Sequence, residues 1–312
     1  MAIKTIGSTG DYPSPQLWEA SRPATLTEPE TALLLLESFS SLTDVQKTFD
    51  INLITSATNF ITIGADAGAV QDFKSDSSTI PFIPYGRGGT FGILTLRQGC
   101  DHLKFRNITI QTTASLSNLV LDVRVSVASD SFIELDDIYF YSDGITGTGG
   151  AEWKTFAKGH IKNSIINSGV TGTTANGSDF ATDMVYENIT AFGNQDATSN
   201  ERSGLRRNNG TGITNKCAVF NYGPTGGHMC YLTVAPIFTD NASSDTSGNT
   251  GLHSLVFLDQ YTDPLNHDWT FKAGNGIEGA ASGGADIGVI IPATGGVQIP
   301  IFQHYYSRLR YA

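Results

Sequence analysis

The stretch "LKFRNITIQ", Leu103 to Gln111, reads as a buried β-strand with one residue out of place. Asn107 is a turn-former with poor strand propensity, yet it stands between Phe105 and Ile108 in an apolar run. The same grammar, an apolar residue, any residue, then Asn or Asp, recurs at Phe105/Asn107, Leu135/Asp137, Ile161/Asn163, Tyr186/Asn188 and Ile213/Asn215. The steps between the Asx positions are 30, 26, 25 and 27 residues. A repeat of that length belongs to a solenoid or a propeller. Four-stranded propeller blades need about 40 to 45 residues, and no leucine-rich pattern is present, so one coil of a parallel β-helix is the remaining fit.

The chemistry of Asn explains its place in such a coil. A sharp corner between two short strands often demands a left-handed backbone, which Asn and Asp tolerate better than other non-glycine residues. A left-handed corner also resets the in/out alternation, so Phe105 and Ile108 are expected to point inward while Arg106 and Thr109 point outward. Coils stack about 4.8 Å apart, which puts the corner side chains of successive coils within hydrogen-bonding reach. Asn107, Asp137, Asn163 and Asn188 are therefore expected in one column, with the Asp137 carboxylate accepting from Asn107 below and Asn163 above.

Register then fixes the charges. Arg106, Asp136, Lys162 and Glu187 each precede a corner and should form an outward row of alternating sign, a surface ion-pair ladder worth about 0 to 1 kcal/mol per pair. The fifth coil fits poorly. Thr214 is uncharged and Lys216 occupies an expected inward apolar slot, which implies a register slip there.

Composition agrees with one continuous body. The chain has 312 residues, 34 of them Gly, and only 16% are charged, which suits many tight turns and polar, uncharged faces. A net charge of −11 argues against binding a nucleic-acid backbone, which needs clustered Lys and Arg. Cys100, Cys217 and Cys230 are an odd number without framework spacing and read as reduced thiols. The opening "MAIKTIGSTG" has no apolar h-region, so no export signal is expected. The longest aliphatic run, Ala32 to Leu36, is too short for membrane insertion. N-x-S/T sequons at Asn107, Asn176, Asn188, Asn209 and Asn241 read as coincidental, because two of them are corners that a glycan would disrupt.

Along the chain, "TIGSTGDYPSPQLWEA" predicts a strand, a turn and a short helix with Ser14 as N-cap and Pro15 at the first helical position, suited to cover the solenoid's exposed end. Thr27 and Glu30 could form a helical capping box, but the short apolar run favours a strand over Ala32 to Phe39. "TNFITIGADAG" (Thr58 to Gly68) and "FGILTLRQG" (Phe91 to Gly99) are strand-plus-turn units. The segments Ser142 to Gly150, Gly169 to Ser178 and Asn194 to Gly212 lack a strand pattern and are expected to protrude as loops. The fold expected is an all-β, right-handed, single-stranded parallel β-helix with a short N-terminal capping helix. It divides into a cap with first strands over 1–49, the β-helix over 50–290, of roughly eight coils and about 40 Å, and a closing and interaction tail over 291–312. The last forty residues are expected to close the far end.

The combination of "TIGSTGDYPSPQLWEA", "TSATNFITIGADAG", "ITNKCAVFNYG" and "HDWTFKAGNGIEGAASGGADIG", in order over roughly residues 4 to 290, resembles the right-handed parallel β-helix proteins of bacteriophage genomes. That resemblance implies a virion setting, among decoration, tail-associated and tailspike-like proteins.

Tailspike-like enzymes are polysaccharide lyases or glycoside hydrolases, so carboxylates and bases were sought. The candidates are Asp179, Asp183 and Glu187, with Arg206 and Arg207 one coil on. Glu187 already has a place in the ladder, and no catalytic residue is assigned. Cys217, His228 and Cys230 are soft ligands without a C-x-x-C or H-E-x-x-H partner, so no metal or cofactor is assigned either. "GTGGAEWKT", Gly147 to Thr155, fails as a phosphate loop because Trp153 stands where glycine must precede lysine. His102, His160, His253 and His267 have no readable nucleophile partner.

The function expected is a non-enzymatic virion structural protein, made in the host cytoplasm and displayed as a head decoration or tail-associated β-helix. It is expected as a homotrimer that contacts other capsid or tail proteins. The alternative is a tailspike-like enzyme or adhesin that binds or cleaves a host surface polysaccharide, and a third option is a host-encoded glycan-binding β-helix. The tail "VQIPIFQHYYSRLRYA" offers Phe302, Tyr305, Tyr306 and Arg308 as contacts to a neighbouring subunit or the particle.

Overall fold

The computed structural model describes residues 1–65, 69, 71, 73, 80–85, 93–96, 99–112, 121–123, 132–142, 151–153, 158–167, 177–178, 183–192, 205–207, 211–220, 230–232, 237–244, 251–252 and 254–289. The chain is a parallel β-solenoid. A 13-stranded sheet and a seven-stranded sheet, both wholly parallel, form its walls, and one antiparallel hairpin lies outside them. Four long strands of the larger sheet, His102–Thr112, Phe132–Ser142, Lys158–Asn167 and Asp183–Phe192, bend in the middle. The bends are the Asx positions: Asn107, Asp137, Asn163 and Asn188 have φ of 52°, 54°, 48° and 50°. Arg106 pairs with Asp136 and Ile108 with Ile138, so Asn107 lies opposite Asp137. Flanking pairs likewise bring Asn163 opposite Asp137 and Asn188 opposite Asn163.

Each corner divides a strand into a first and a second limb, and both limbs send apolar side chains inward. Leu103 and Phe105 precede the corner, Ile108 and Ile110 follow it, and all four are buried. Ile133, Leu135, Ile138 and Phe140 repeat the pattern one coil on. Opposite them the small sheet supplies Phe49, Ile51, Leu94 and Leu96 to the same core. Removing each such side chain from water contributes about 1.5 to 3 kcal/mol, so the repeat holds itself together by stacking like on like.

The N-terminal expectations hold in detail. The strand Ala2–Ile6 leads to the helix Pro15–Ala20, whose Ser14 cap accepts from Leu17 N–H at 3.3 Å. The helix lies beside Phe49–Ile51, at the start of the small sheet, where Gln16 N–H donates to the Gln46 carbonyl at 3.2 Å. Its Trp18 enters the core and begins an edge-to-face stack through Phe49 (6.0 Å) to Phe105 (6.1 Å). The segment after it is a strand, as expected, but it spans Glu30–Leu34 rather than Ala32 to Phe39. Glu30 starts the strand instead of a helix because its buried carboxylate accepts from Trp18 Nε1 at 2.8 Å and pairs with Arg22. The remaining edge of the first strand is guarded by Asp11, which accepts from Thr5 N–H and Oγ1 at 2.9 and 3.0 Å.

Four expectations are corrected. Two of the three expected loops carry rungs of the small sheet: Gly177–Ser178 lies in one, and Leu205–Arg207 in another. Such two- and three-residue rungs are too short to show alternation. The regular body is also shorter than eight coils. Five successive levels, the four bent strands and the pair Thr211–Asn215 and Ala218–Phe220, carry the repeat, with shorter strands at either end.

The fifth corner is Lys216 (φ 52°), not Asn215. Asn215 pairs with Glu187 in the outward row and Ala218 with Thr190, so the sheet keeps its register and the expected slip does not occur. Thr214 takes the inward slot and is fully buried. The sixth corner is Asp240, at φ 52°.

Finally, Thr109 does not face solvent, and residues 255–289 lie along the flank of the solenoid rather than over its far end. They form a second apolar cluster with the outer faces of the second limbs, joining Phe257, Tyr261, Trp269, Ile277 and Val289 to Tyr139, Ile165, Phe192 and Ala218.

Candidate functional site

The outer face of the first limbs carries the charges. Lys104, Glu134 and His160 share one row and Arg106, Asp136, Lys162 and Glu187 the next, each member in register with its neighbours. The ladder is therefore present, but its pairing is not simply nearest neighbour to nearest neighbour. Lys162 is the hub: its Nζ lies 3.2 Å from Asp136 Oδ2 and 3.6 Å from Glu134 Oε2. Burial alone would lower the pKa of the Lys162 ammonium; Asp136 and Glu134 outweigh that and hold it above its ordinary value. Glu187 pairs instead with His160 Nε2, at 3.4 Å. Burial, then the Lys162 charge, pushes the His160 imidazole down, with Glu187 and Glu134 opposing. Arg106 makes no ion pair within 4 Å among the described residues, and its Nε is buried without a hydrogen-bond partner.

The corner column runs beside this row. Asn188 Nδ2 donates to Asn163 Oδ1 at 3.0 Å, and Asn163 Nδ2 donates to Asp136 Oδ1 at 2.9 Å. The second bond corrects the expectation that Asp137 accepts from Asn163: the neighbouring outward carboxylate takes that amide. Burial pushes the Asp137 carboxyl up to about 7, Asp136 adds to the rise, and Lys162 and Arg106 oppose it. Gln71 reaches over the same corner, its Nε2 donating to the Asp137 carbonyl at 3.3 Å and its Oε1 accepting from Thr109 Oγ1 at 3.3 Å. The column breaks after Asn188, whose Oδ1 is buried without a partner on the side of Lys216. One coil further, Asn241 takes over the linking role, accepting from Cys217 N–H at 2.8 Å and donating to the Thr214 carbonyl at 2.9 Å.

The residues considered for carbohydrate chemistry do not share one wall. Asp183 and Glu187 lie on the same bent strand of the large sheet, whereas Arg206 and Arg207 lie on a rung of the small sheet. Asp179 and the side chains of Asp183, Arg206 and Arg207 are outside the described residues. Of the soft ligands, Cys217 is buried in the main core with its Sγ donating to the Asn215 carbonyl at 3.3 Å, and Cys230 is on a small-sheet rung. His228, the Cys230 side chain and His253 are outside the described residues. Among the described residues, no three His, Cys, Asp or Glu side chains converge on a common point suited to a metal, and no helix is long and apolar enough to cross a membrane. Cys100 and Cys217 are free thiols. Burial pushes the Cys100 thiol up to about 12, so it is a packing residue and a poor nucleophile.

Sequence reasoning missed the covered flank. Tyr139 is fully buried against Trp269 (6.1 Å) and Phe73 (6.1 Å), its hydroxyl accepting from Trp269 Nε1 at 3.3 Å and bonded to His267 Nδ1. Tyr261 bonds Thr190 Oγ1 at 2.8 Å. Gly288 N–H donates to the Lys216 carbonyl at 2.7 Å; a Cβ on Gly288 would stand 2.7 Å from Thr190 Oγ1, so only glycine passes there. The missed signal was the near-continuous apolar second limb, "IYFY" at 138–141 and "CAVF" at 217–220, which is how parallel strands buried on both faces read. Beyond the flank, a depression of about 340 Å³ at the last corner is lined by Thr239, Asp240, Asn241, Leu252, Ala280 and Ile287. Its one carboxylate, Asp240, already accepts from Ser282 at 2.9 Å.

No family model, curated protein or solved structure matches the chain. The likeness to phage β-helix proteins rests on the quoted sequence motifs.

Proposed function

We propose that the chain is a non-enzymatic structural component of a bacteriophage virion, a β-helix displayed on the particle as a head decoration or tail-associated protein. The phage setting comes from the sequence resemblance. The observation that supports a structural role is the internal use of the polar groups. Glu187, the described carboxylate among the enzyme candidates, is held by His160, and Lys162 spends its charge on Asp136 and Glu134. A face whose charges pair with one another is suited to rigidity and solubility more than to acid and base work on a glycan.

In this reading the chain forms a homotrimer and anchors through its C-terminal segment, with Phe302, Tyr305, Tyr306 and Arg308 meeting a neighbouring subunit or the particle. Those four residues are outside the described ones. The test is mass spectrometry of purified virions, with the chain expected at a fixed copy number and lost from particles when truncated at Gly296. Its absence from virions overturns the proposal. Cleavage of a host polysaccharide that disappears in Asp183→Asn or Glu187→Gln would replace it with the tailspike-like enzyme.

A further inference from the structure

The corner column has a direction. Each amide donates toward the N-terminal coil: Asn188 to Asn163, and Asn163 onward to the Phe132–Ser142 strand, where Asp136 accepts. The next step should run from position 137 to Asn107, which the register places opposite it. An amide at 137 would have a donor for that step. A carboxylate has none, because an ionised Asp is acceptor-only, whereas a carboxylic acid carries one O–H donor. The sequence thus puts at one corner the single residue type whose ability to continue the column depends on a proton.

The surroundings are those of a group that resists ionisation. Asp137 is held at φ 54° by the fold and covered by Gln71, whose amide is spent on the Asp137 backbone carbonyl. The Asn163 amide, which would otherwise stabilise a carboxylate there, goes to Asp136. The charged groups facing Asp137 are Asp136 on its own strand, Arg106 on the strand before and Lys162 on the strand after. Of these, Asp136 opposes a second negative charge directly beside it, and Lys162 already has two carboxylate partners.

We infer that Asp137 is a proton-operated corner: protonated, it donates to Asn107 and completes the Asn column, and ionised, it leaves the column broken between two coils. The solenoid is then tightened by mild acid at this point. The sign is that of an acid whose folded form binds the proton more strongly than the unfolded chain. The stabilisation is fully present below the unfolded value near 3.8 and is lost as pH rises through about 7.

Comparison of the wild type with Asp137→Asn by urea unfolding from pH 4 to 8.5 tests this. The variant carries a permanent donor, so the ratio of its folding constant to that of the wild type should rise with pH, by at most about tenfold per unit between pH 4 and 7. Ratios that stay flat, or a variant less stable than the wild type at pH 8, overturn the inference. A second measurement needs no variant: the side-chain carboxyl carbon of Asp137, followed by NMR in Asp-labelled protein, should titrate with a midpoint near 7. A midpoint near 4 rejects the proton-operated corner even if the variant fails to fold.

Discussion

The two limbs on either side of the corner share one inward pattern and have opposite outward fates. Before the corner, the outer face holds Lys104, Arg106, Glu134, Asp136, His160, Lys162 and Glu187, all partly exposed. After it, the outer positions Thr109, Tyr139, Ile165, Thr190 and Ala218 are buried to 1% exposure or less. The first limb solves the problem of its outer surface by pairing charges in water. The second solves it by recruiting another layer, residues 255–289 together with Phe73. A solenoid wall is thus not uniformly a surface; one flank is an interior.

If that contrast is real, the largest effect should come from the covered side. Trp269 is 2% exposed, packs edge-on against Tyr139 (6.1 Å) and Tyr261 (5.5 Å), and donates to the Tyr139 hydroxyl. Trp269→Ala should cost about 3 to 5 kcal/mol, read as a fall in the urea midpoint at unchanged slope. A loss under about 1 kcal/mol would mean that the flank is an appendage and that the two limbs are not so different.

The corner itself should come next. Asn163 both donates to Asp136 and accepts from Asn188, and its backbone sits at φ 48°. Asn163→Leu places a branched side chain in a left-handed conformation and leaves the Asn188 amide unpaired, at a cost of about 1 to 3 kcal/mol. Asn163→Gly keeps the backbone and removes only the side chain, so it should cost less than the leucine. The reverse order would show that the column, and not the left-handed backbone, is the larger part of the corner.

The corner was the most legible feature of the chain, because its demand falls on one residue and is met by a rare type. Asn107, Asp137, Asn163 and Asn188 announced it without any help from packing. The same logic misled at the fifth coil, where Asn215 stands directly before the residue that actually turns. Lys216 gives no sign of a left-handed backbone, and only the sheet register, Ala218 against Thr190, identifies it. The second layer was harder still. Whether Thr109 faces water is decided by segments far along the chain, Gln71 on one side and residues 255–289 on the other, and no local pattern encodes that encounter. The polar row was visible as alternating signs, but its partners were not. A lysine reaches the carboxylate that geometry favours, and Lys162 reaches two.

The smallest effect should come from that row. Lys162→Gln removes the hub of the ladder, yet its Nζ is partly exposed and its pairs are screened by salt, so the loss in stability should be about 1 kcal/mol or less and should shrink further in 0.5 M salt. A cost above about 2 kcal/mol would place the first limb's outer face in the same energetic class as the covered flank and erase the contrast between the two. The same substitution also reaches the corner behind it. Lys162 opposes the upward shift of the Asp137 carboxyl that burial and Asp136 produce. Its removal should therefore move the Asp137 midpoint higher, extending to more alkaline pH the range over which the corner keeps its proton, while the unfolding midpoint in mild acid barely changes. A substitution that hardly alters stability but displaces a neighbour's titration is the behaviour expected of a face whose charges act on one another rather than on the core.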